Sequence, residues 1–253
     1  METVITLPAL GDNLIHLYRY GPGRCLVVDP SDGLSVLGIL HKQNLTLDMI
    51  LITHHHGDHT AGVAELKKKT GCKVVGGDRR RIRGIDQVVE DGQILPLGDA
   101  EIRVIATPGH SATSVCYYAP PSPDGAAGIL WTGDTMFVGG CGRLFETDAR
   151  VMWKSLLRLA SLPDDTLVYC GHDYTVENYE FALTVEPHNQ AVRRRLNDVK
   201  RTGRAVPSTM LQERATNVFL RAGAPEVKAA LNMPQAKDFE VFAELRRRKD
   251  IFW

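Results

Sequence analysis

Eight consecutive residues, Thr53-His54-His55-His56-Gly57-Asp58-His59-Thr60, carry the densest chemistry in the chain. Imidazole and carboxylate are the donors that borderline divalent metals accept. His54 and His56 are two apart, so an extended backbone points both the same way. Asp58 and His59 follow Gly57, which permits a sharp bend. One loop can therefore face two neighbouring points in space, a geometry suited to two metal ions. Three more donors follow a glycine at strand ends: His110 in Thr107-Pro108-Gly109-His110, Asp134 in Gly133-Asp134, and His172 in Gly171-His172. A lone histidine is usually a satisfied structural residue, but a set that repeatedly ends apolar strands points to a shared metal centre.

Elements must deliver these groups. Met49-Ile50-Leu51-Ile52 reads as a buried strand, and a helix is expected from Ala61 to Thr70, stopped by Gly71 with lysines in its last turn. The histidine loop thus joins a strand to a helix, where open α/β sheets place functional groups. Upstream, strands are expected over residues 2–7, 13–20 and 25–29, with a turn at Pro8–Asp12 and a helix over 33–42. Asp29 ends the third strand; it either orients a ligand histidine or caps the next helix. Downstream, residues 76–92 are irregular. Strands are expected over 93–97, 101–107, 115–119, 128–132 and 166–170, with a Gly98–Asp99 turn and a 120–125 loop. A helix is expected over 149–160. Past residue 172 strands disappear, and helices are expected over 173–185, 189–201, 224–231 and 237–249. The expected division is residues 1–173, holding the metal donors, and a helical domain over 174–253.

At 253 residues the chain can bury a large core. Lys plus Arg equals Asp plus Glu, 30 each, so no global field favours nucleic acid or anionic membrane. The runs Arg79-Arg80-Arg81 and Arg193-Arg194-Arg195 read as solvated faces. No apolar stretch reaches membrane-span length, and no signal peptide is evident at the N-terminus. Five cysteines, none in C-x-x-C spacing, indicate reduced thiols and a cytoplasmic setting. Cys25, Cys72 and Cys116 lie among strand residues; Cys141 and Cys170 lie near the suspected site loops.

The strings T-H-x-H-x-D-H at 53–59, T-P-G-H at 107–110, G-D-T at 133–135 and G-H at 171–172 resemble the metallo-β-lactamase superfamily. Gly133–Phe137, Gly139–Arg143, Gly171–Thr175, Val185–Pro187, Thr216-Asn217 and Arg246–Asp250 resemble, within it, the glyoxalase II or hydroxyacylglutathione hydrolase family. The resemblance implies an α+β fold, an αββα sandwich followed by a helical glutathione-binding domain. It implies two divalent metal ions, zinc first, with iron or manganese as alternatives. His54, His56 and His110 are the implied ligands of one ion. Asp58, His59 and His172 are those of the other. Asp134 bridges both, and a metal-bridging hydroxide held by Asp134 and Asp58 is the implied nucleophile. The implied reaction converts S-D-lactoylglutathione and related S-2-hydroxyacylglutathiones to D-lactate and glutathione, the second step of methylglyoxal detoxification. The implied substrate contacts are Arg143, Phe145, Tyr174, Arg246 and Lys249. Arg246 and Lys249, three apart, share a helix face and could grip one carboxylate. Two positions depart from the family, which commonly has lysine at 143 and tyrosine at 145. A small-molecule thioester is the expected partner, with no nucleic acid or membrane, and the chain is expected to be a monomer. The alternative is another superfamily enzyme acting on a glutathione derivative, such as a persulfide dioxygenase with a single iron.

Overall fold

Alternating and continuous apolar runs build the first sheet of the computed structural model, which describes residues 3–98, 100–122 and 124–252. Glu2 of the first expected strand, Asp99 of the Gly98–Asp99 turn and Pro123 of the 120–125 loop lie outside that set. The chain forms two compact units. One comprises Met1–Ala106 and Thr113–Gly133; the other comprises Thr107–Ala112 and Asp134–Trp253.

The first unit runs β1 (Val4–Ala9), β2 (Asn13–Gly21), β3 (Arg24–Val28), α1 (Gly33–Gln43), β4 (Thr46–Ile52), α2 (Gly57–Thr60), α3 (Val63–Thr70), β5 (Lys73–Gly76) and β6 (Gln87–Val88). These strands form one sheet in chain order, antiparallel from β1 to β3 and parallel from β3 to β6. Inward side chains of β2 to β5, among them Ile15, Val27, Ile50 and Val74, pack on Val36 and Leu40 of α1 and Val63 and Leu66 of α3. Four further strands, β7 (Ile94–Leu97), β8 (Ala100–Ala106), β9 (Val115–Ala119) and β10 (Ile129–Gly133), pair antiparallel in the order β10-β9-β8-β7.

Two local expectations are corrected here. The first turn does not begin at Pro8: β1 continues to Ala9, and Pro8 pairs with Leu14. β1 is the outer strand of its sheet, so the missing proline N–H leaves no ladder bond unmade. The helix expected from Ala61 begins only at Val63, and a short helix, Gly57–Thr60, stands in the expected loop before it, the two being separated at Ala61–Gly62. The amide of Gly62 donates to Pro30 O at 2.8 Å. The carbonyl it would use in a continuous helix, that of Asp58, accepts from Asn13 Nδ2. The C-terminal stop holds: Gly71 is left-handed and donates to Lys67 O.

The second unit adds a short hairpin, β11 (Met136–Phe137) with β12 (Gly140–Cys141), then α4 (Ala149–Ala160), β13 (Leu167–Cys170), α5 (Thr175–Val185) and α6 (Gln190–Thr202). It ends with β14 (Ser208–Thr209), α7 (Met210–Thr216), α8 (Pro225–Ala230) and α9 (Asp238–Asp250). α4 spans the expected residues, capped by Asp148, and buries Met152, Trp153, Leu156 and Leu159 at helical spacing. Strands do not disappear past 172: β14 pairs antiparallel with β13. Nor was a helix over 210–216 expected. It starts from a capping box between Thr209 and Gln212, a signal present in the sequence. Glu213 and Asn217 near its end anchor the hairpin. The amides of Gly139 and Asn217 and the Ser208 hydroxyl donate to the buried Glu213 carboxylate. Asn217 Nδ2 also donates to the carbonyls of Phe137 and Gly140. Burial nonetheless dominates and holds the Glu213 pKa above its ordinary value. Phe181, Phe219 and Phe242 form the aromatic centre of this unit. No described helix is long and apolar enough to cross a membrane.

Candidate metal centre

In the first unit β4 ends at Ile52, and the next residues bring His54, His56, Asp58 and His59 together. Thr53 is the root of this loop. Its amide donates to Asp29 Oδ1 at 2.8 Å and its hydroxyl to Asp29 Oδ2 at 2.6 Å. That hydroxyl has one proton, so toward His54 Nδ1, at 3.0 Å, it can only accept. His54 therefore carries a proton on Nδ1, and its Nε2 is the nitrogen turned toward His56. The same reasoning fixes His59, whose Nδ1 lies 3.0 Å from the Asp29 carboxylate. Its Nε2 lies 3.4 Å from Asp58 Oδ2. His54 Nε2 and His56 Nδ1 are 3.0 Å apart, two ring nitrogens converging on one point. Asn13 Nδ2 holds Asp58 through both its carboxylate, at 3.1 Å, and its carbonyl. Of the two readings of Asp29, the structure supports the orienting one, since its carboxylate serves Thr53 and His59. It does so from a left-handed backbone, φ 48°, which is uncommon for a residue with a side chain. Atoms of Asp29, His54 and His59 lie within 4.8 Å of one another, so Asp29 sits directly behind the donors.

In the second unit His110, Asp134 and His172 come together. His110 Nδ1 donates to the Arg143 carbonyl at 2.9 Å, since a carbonyl only accepts, and its Nε2 faces Asp134 Oδ2 at 3.5 Å. His172 Nε2 faces the same oxygen, also at 3.5 Å. The turn bearing His110 is pinned by the hydroxyl of Thr147 on Gly109 O and that of Ser155 on Pro108 O. Glycine is required beside these groups. A Cβ on Gly142 would lie 2.1 Å from Asp134 O and 2.9 Å from His110 Nδ1. Gly133, just before Asp134, has φ 48°, and a Cβ there would strike Thr53 Oγ1.

The five residues expected at the substrate lie in the second unit. Tyr174 stacks on His172 with ring centroids 5.0 Å apart, its hydroxyl 3.3 Å from His172 Nδ1. Phe145 is 61 % exposed and meets His110 edge-on at 5.2 Å. Arg143 is half exposed, 3.8 Å from Asp250. Arg246 is buried. Its guanidinium donates to Cys141 O at 2.7 Å and to Asp250 Oδ1, and lies over the Phe219 ring. Lys249 Nζ reaches Glu177 O at 3.4 Å. Burial, chiefly, and the charges of Arg246 and Arg143 lower its pKa, against the opposing pull of Glu177 and Asp250. Three cations thus surround Asp250, and Arg246 is already engaged with the hairpin. His55 Nε2 bonds Arg81. All five cysteines are buried. Burial pushes the thiols of Cys141 and Cys170 up, to about 11 and about 12, which leaves neither an activated nucleophile. Sequence reasoning missed Asn13 and the roles of Thr53, Glu213 and Asn217. Nothing in the local sequence of Asn13 signals its reach to Asp58.

The donor chemistry fits divalent metal. Imidazoles grouped with carboxylates are what such an ion binds, and a partner on the outer ring nitrogen is the usual bracing. Residues 10–172 match the family described as the Metallo-beta-lactamase superfamily. Residues 173–252 match the Hydroxyacylglutathione hydrolase C-terminus. A hydroxyacylglutathione hydrolase of Methylococcus capsulatus is 47 % identical over all of this chain and 99 % of its own length. One of Rhodospirillum rubrum is 44 % identical over 97 % of each chain. Among solved structures, ETHE1 from Myxococcus xanthus superposes with a TM-score of 0.70 at 24 % identity, covering 98 % of this chain and 91 % of that one, a likeness of fold. TTHA1623 in a di-iron-bound form gives 0.55 at 28 % identity, over 67 % of this chain and 91 % of that one. The chain belongs to the metallo-β-lactamase superfamily and, within it, to the hydroxyacylglutathione hydrolase family.

Proposed function

We propose that this protein hydrolyses S-D-lactoylglutathione and related S-2-hydroxyacylglutathiones to the 2-hydroxy acid and glutathione, using two divalent ions. The observation that carries the reading is the donor set. His54, His56 and His110 would hold one ion, and Asp58, His59 and His172 the other. His54 Nε2 and His56 Nδ1 lie 3.0 Å apart, and His59 Nε2 lies 3.4 Å from Asp58 Oδ2, so the donors of that loop converge in pairs as the ligands of one ion do. Asp134, whose Oδ2 faces both His110 and His172, would serve both ions. Zinc is the first expectation; the di-iron form of TTHA1623 keeps iron in view, and manganese suits the same donors. Bound there, such ions supply Lewis-acid activation of water and of the thioester carbonyl.

The protein's own groups do the rest. Asp29, Thr53 and the Arg143 carbonyl keep protons on the outer ring nitrogens, so the inner ones are those that would bind. Asp134 and Asp58 supply the carboxylates that accept from the attacking water. Hydrolysis adds the water oxygen to the acyl carbon and breaks the C–S bond, with the electron pair leaving on sulfur. A thiol of pKa about 8.5 leaves readily as thiolate, so no strong general acid is needed. The helical part, residues 174–253 with Tyr174, Arg246 and Lys249, would bind glutathione together with Arg143 and Phe145. Cations there suit its two carboxylates. Five buried thiols, none in a disulfide, accord with a cytoplasmic enzyme, proposed as a monomer.

The test measures thiol release from S-D-lactoylglutathione and metal content by elemental analysis on one purified sample. Rapid release with close to two ions per chain is expected. No release from protein carrying two ions would overturn the substrate assignment. Oxygen consumption with a persulfide substrate would replace it with the dioxygenase reaction.

A further inference from the structure

The run Arg79-Arg80-Arg81 reads in sequence as a solvated face, but its three side chains do different things. All three are exposed, and what sets Arg81 apart is its bonding. The Arg81 guanidinium is spread over three acceptors. Nε donates to Asp78 Oδ2 at 2.5 Å, one terminal nitrogen meets His55 Nε2 at 3.2 Å, and the other donates to Thr113 Oγ1 at 3.0 Å. Asp78 is itself held. Its Oδ1 accepts the amides of Arg80 and Arg81 at 2.9 and 3.1 Å, and its Oδ2 also accepts the Thr113 hydroxyl. Burial works against the Asp78 charge, yet these donors win and keep its pKa down at about 2. Asp78, Arg81 and Thr113 therefore form a closed clamp with fixed geometry.

What the clamp grips is His55, the one imidazole in the loop that is not a metal donor. A guanidinium only donates, so His55 Nε2 must accept. The His55 ring stands edge-on to His56 at 4.7 Å and to His54 at 6.4 Å. The loop is thus braced twice. Asp29 holds its root through Thr53, and Arg81 holds its middle. His54 lies between these two braces and His56 directly after the second, and their facing ring nitrogens are 3.0 Å apart.

We propose that Arg81 is a positioning residue: clamped by Asp78 and Thr113, it fixes His55 and so sets the approach of His54 and His56 to the ion they share. This rests on the metal-centre reading above. A group hydrogen-bonded directly to a ligand typically changes metal affinity roughly 10- to 100-fold when removed; Arg81 acts one residue further out, through His55, and the lower end of that range, about tenfold, is expected here.

The experiment measures metal affinity by chelator competition, and the visible spectrum of the cobalt(II)-loaded protein, for Arg81→Ala, Arg81→Lys and the control Arg79→Ala. Melting of the metal-free proteins is followed in parallel. Arg81→Ala should bind metal about tenfold more weakly and shift the cobalt spectrum, with the metal-free melting temperature close to wild type. Arg81→Lys should recover little, because an ammonium cannot reach three acceptors in a fixed fork. Added guanidinium ion should restore part of the affinity to Arg81→Ala. The losses in Arg81→Ala and His55→Ala should not add in the double variant, because one acts through the other. Wild-type affinity and spectrum in Arg81→Ala, a loss confined to melting temperature, or full additivity would each overturn the proposal. A wild-type protein that takes up no ion would overturn the metal-centre reading and this one with it.

Discussion

Residues 53–60 place four donors within one short stretch, whereas His110, Asp134 and His172 reach theirs from three separate strand ends. The contiguous set shares its supports: one carboxylate, Asp29, serves Thr53 and, through it, His54, and also binds His59. The dispersed set has individual ones. His110 leans on the Arg143 carbonyl, His172 on Tyr174, and Asp134 on a chain passage that only glycine at 142 allows. A donor set packed into one loop is therefore vulnerable where one group, Asp29, serves two of its members. A set assembled from separate elements is vulnerable only ligand by ligand.

The largest effect should come from the group both ions would share. Asp134→Ala is expected to lose bound metal and activity together, by at least the 10²- to 10³-fold, roughly, that removing one preorganised electrostatic group costs. Full activity in that variant would remove Asp134 from the centre. The contrast in bracing is tested next. Asp29→Ala should weaken metal binding about 10- to 100-fold by chelator competition, because two ligands lose their orientation at once. It should also cost about 1–3 kcal/mol of stability from the stranded Thr53 amide. Tyr174→Phe touches one ligand only, and a loss as large as that of Asp29→Ala would break the comparison.

The substrate residues come below these. Arg246→Ala removes a buried cation, and about tenfold or more in KM is expected, with a smaller change in kcat. Because the same side chain bonds Cys141 O, its melting temperature should fall as well. Unchanged KM would leave Arg246 a purely structural brace. Phe145→Tyr restores a hydroxyl that the family commonly has. A bond of roughly 0.5–1.5 kcal/mol predicts a KM lower by about 2- to 12-fold. The smallest effect is a pH dependence. Burial lowers the Lys249 pKa, so its charge is lost as pH rises through a value below the ordinary lysine range, about 10.4. KM should climb there by at most about fivefold, and Lys249→Ala should flatten that limb.

Most of the site was legible because metal ligation needs particular side chains, and strand-to-loop junctions carry a readable apolar-then-glycine pattern. The family strings carried the resemblance through to residue 250. Boundaries set by long-range bonds were not legible. Nothing local says that Asn13 takes the Asp58 carbonyl, or that Gly62 turns its amide to Pro30 and separates α2 from α3. The α7 capping box was present at Thr209 and Gln212 but went unread, because the strand pairing of Ser208–Thr209 is a tertiary event.

Residue types and their spacing alone determined that this chain carries a histidine and aspartate donor set and that strand ends deliver it. Short-range backbone geometry makes such patterns local. Which ring nitrogen of His54, His59 and His110 is braced from behind, that Arg81 is clamped on His55, and that Arg246 is buried against Cys141 were decided only by the folded chain. Hydrogen-bond partners many residues away are chosen by where the backbone brings them, and no local pattern encodes that.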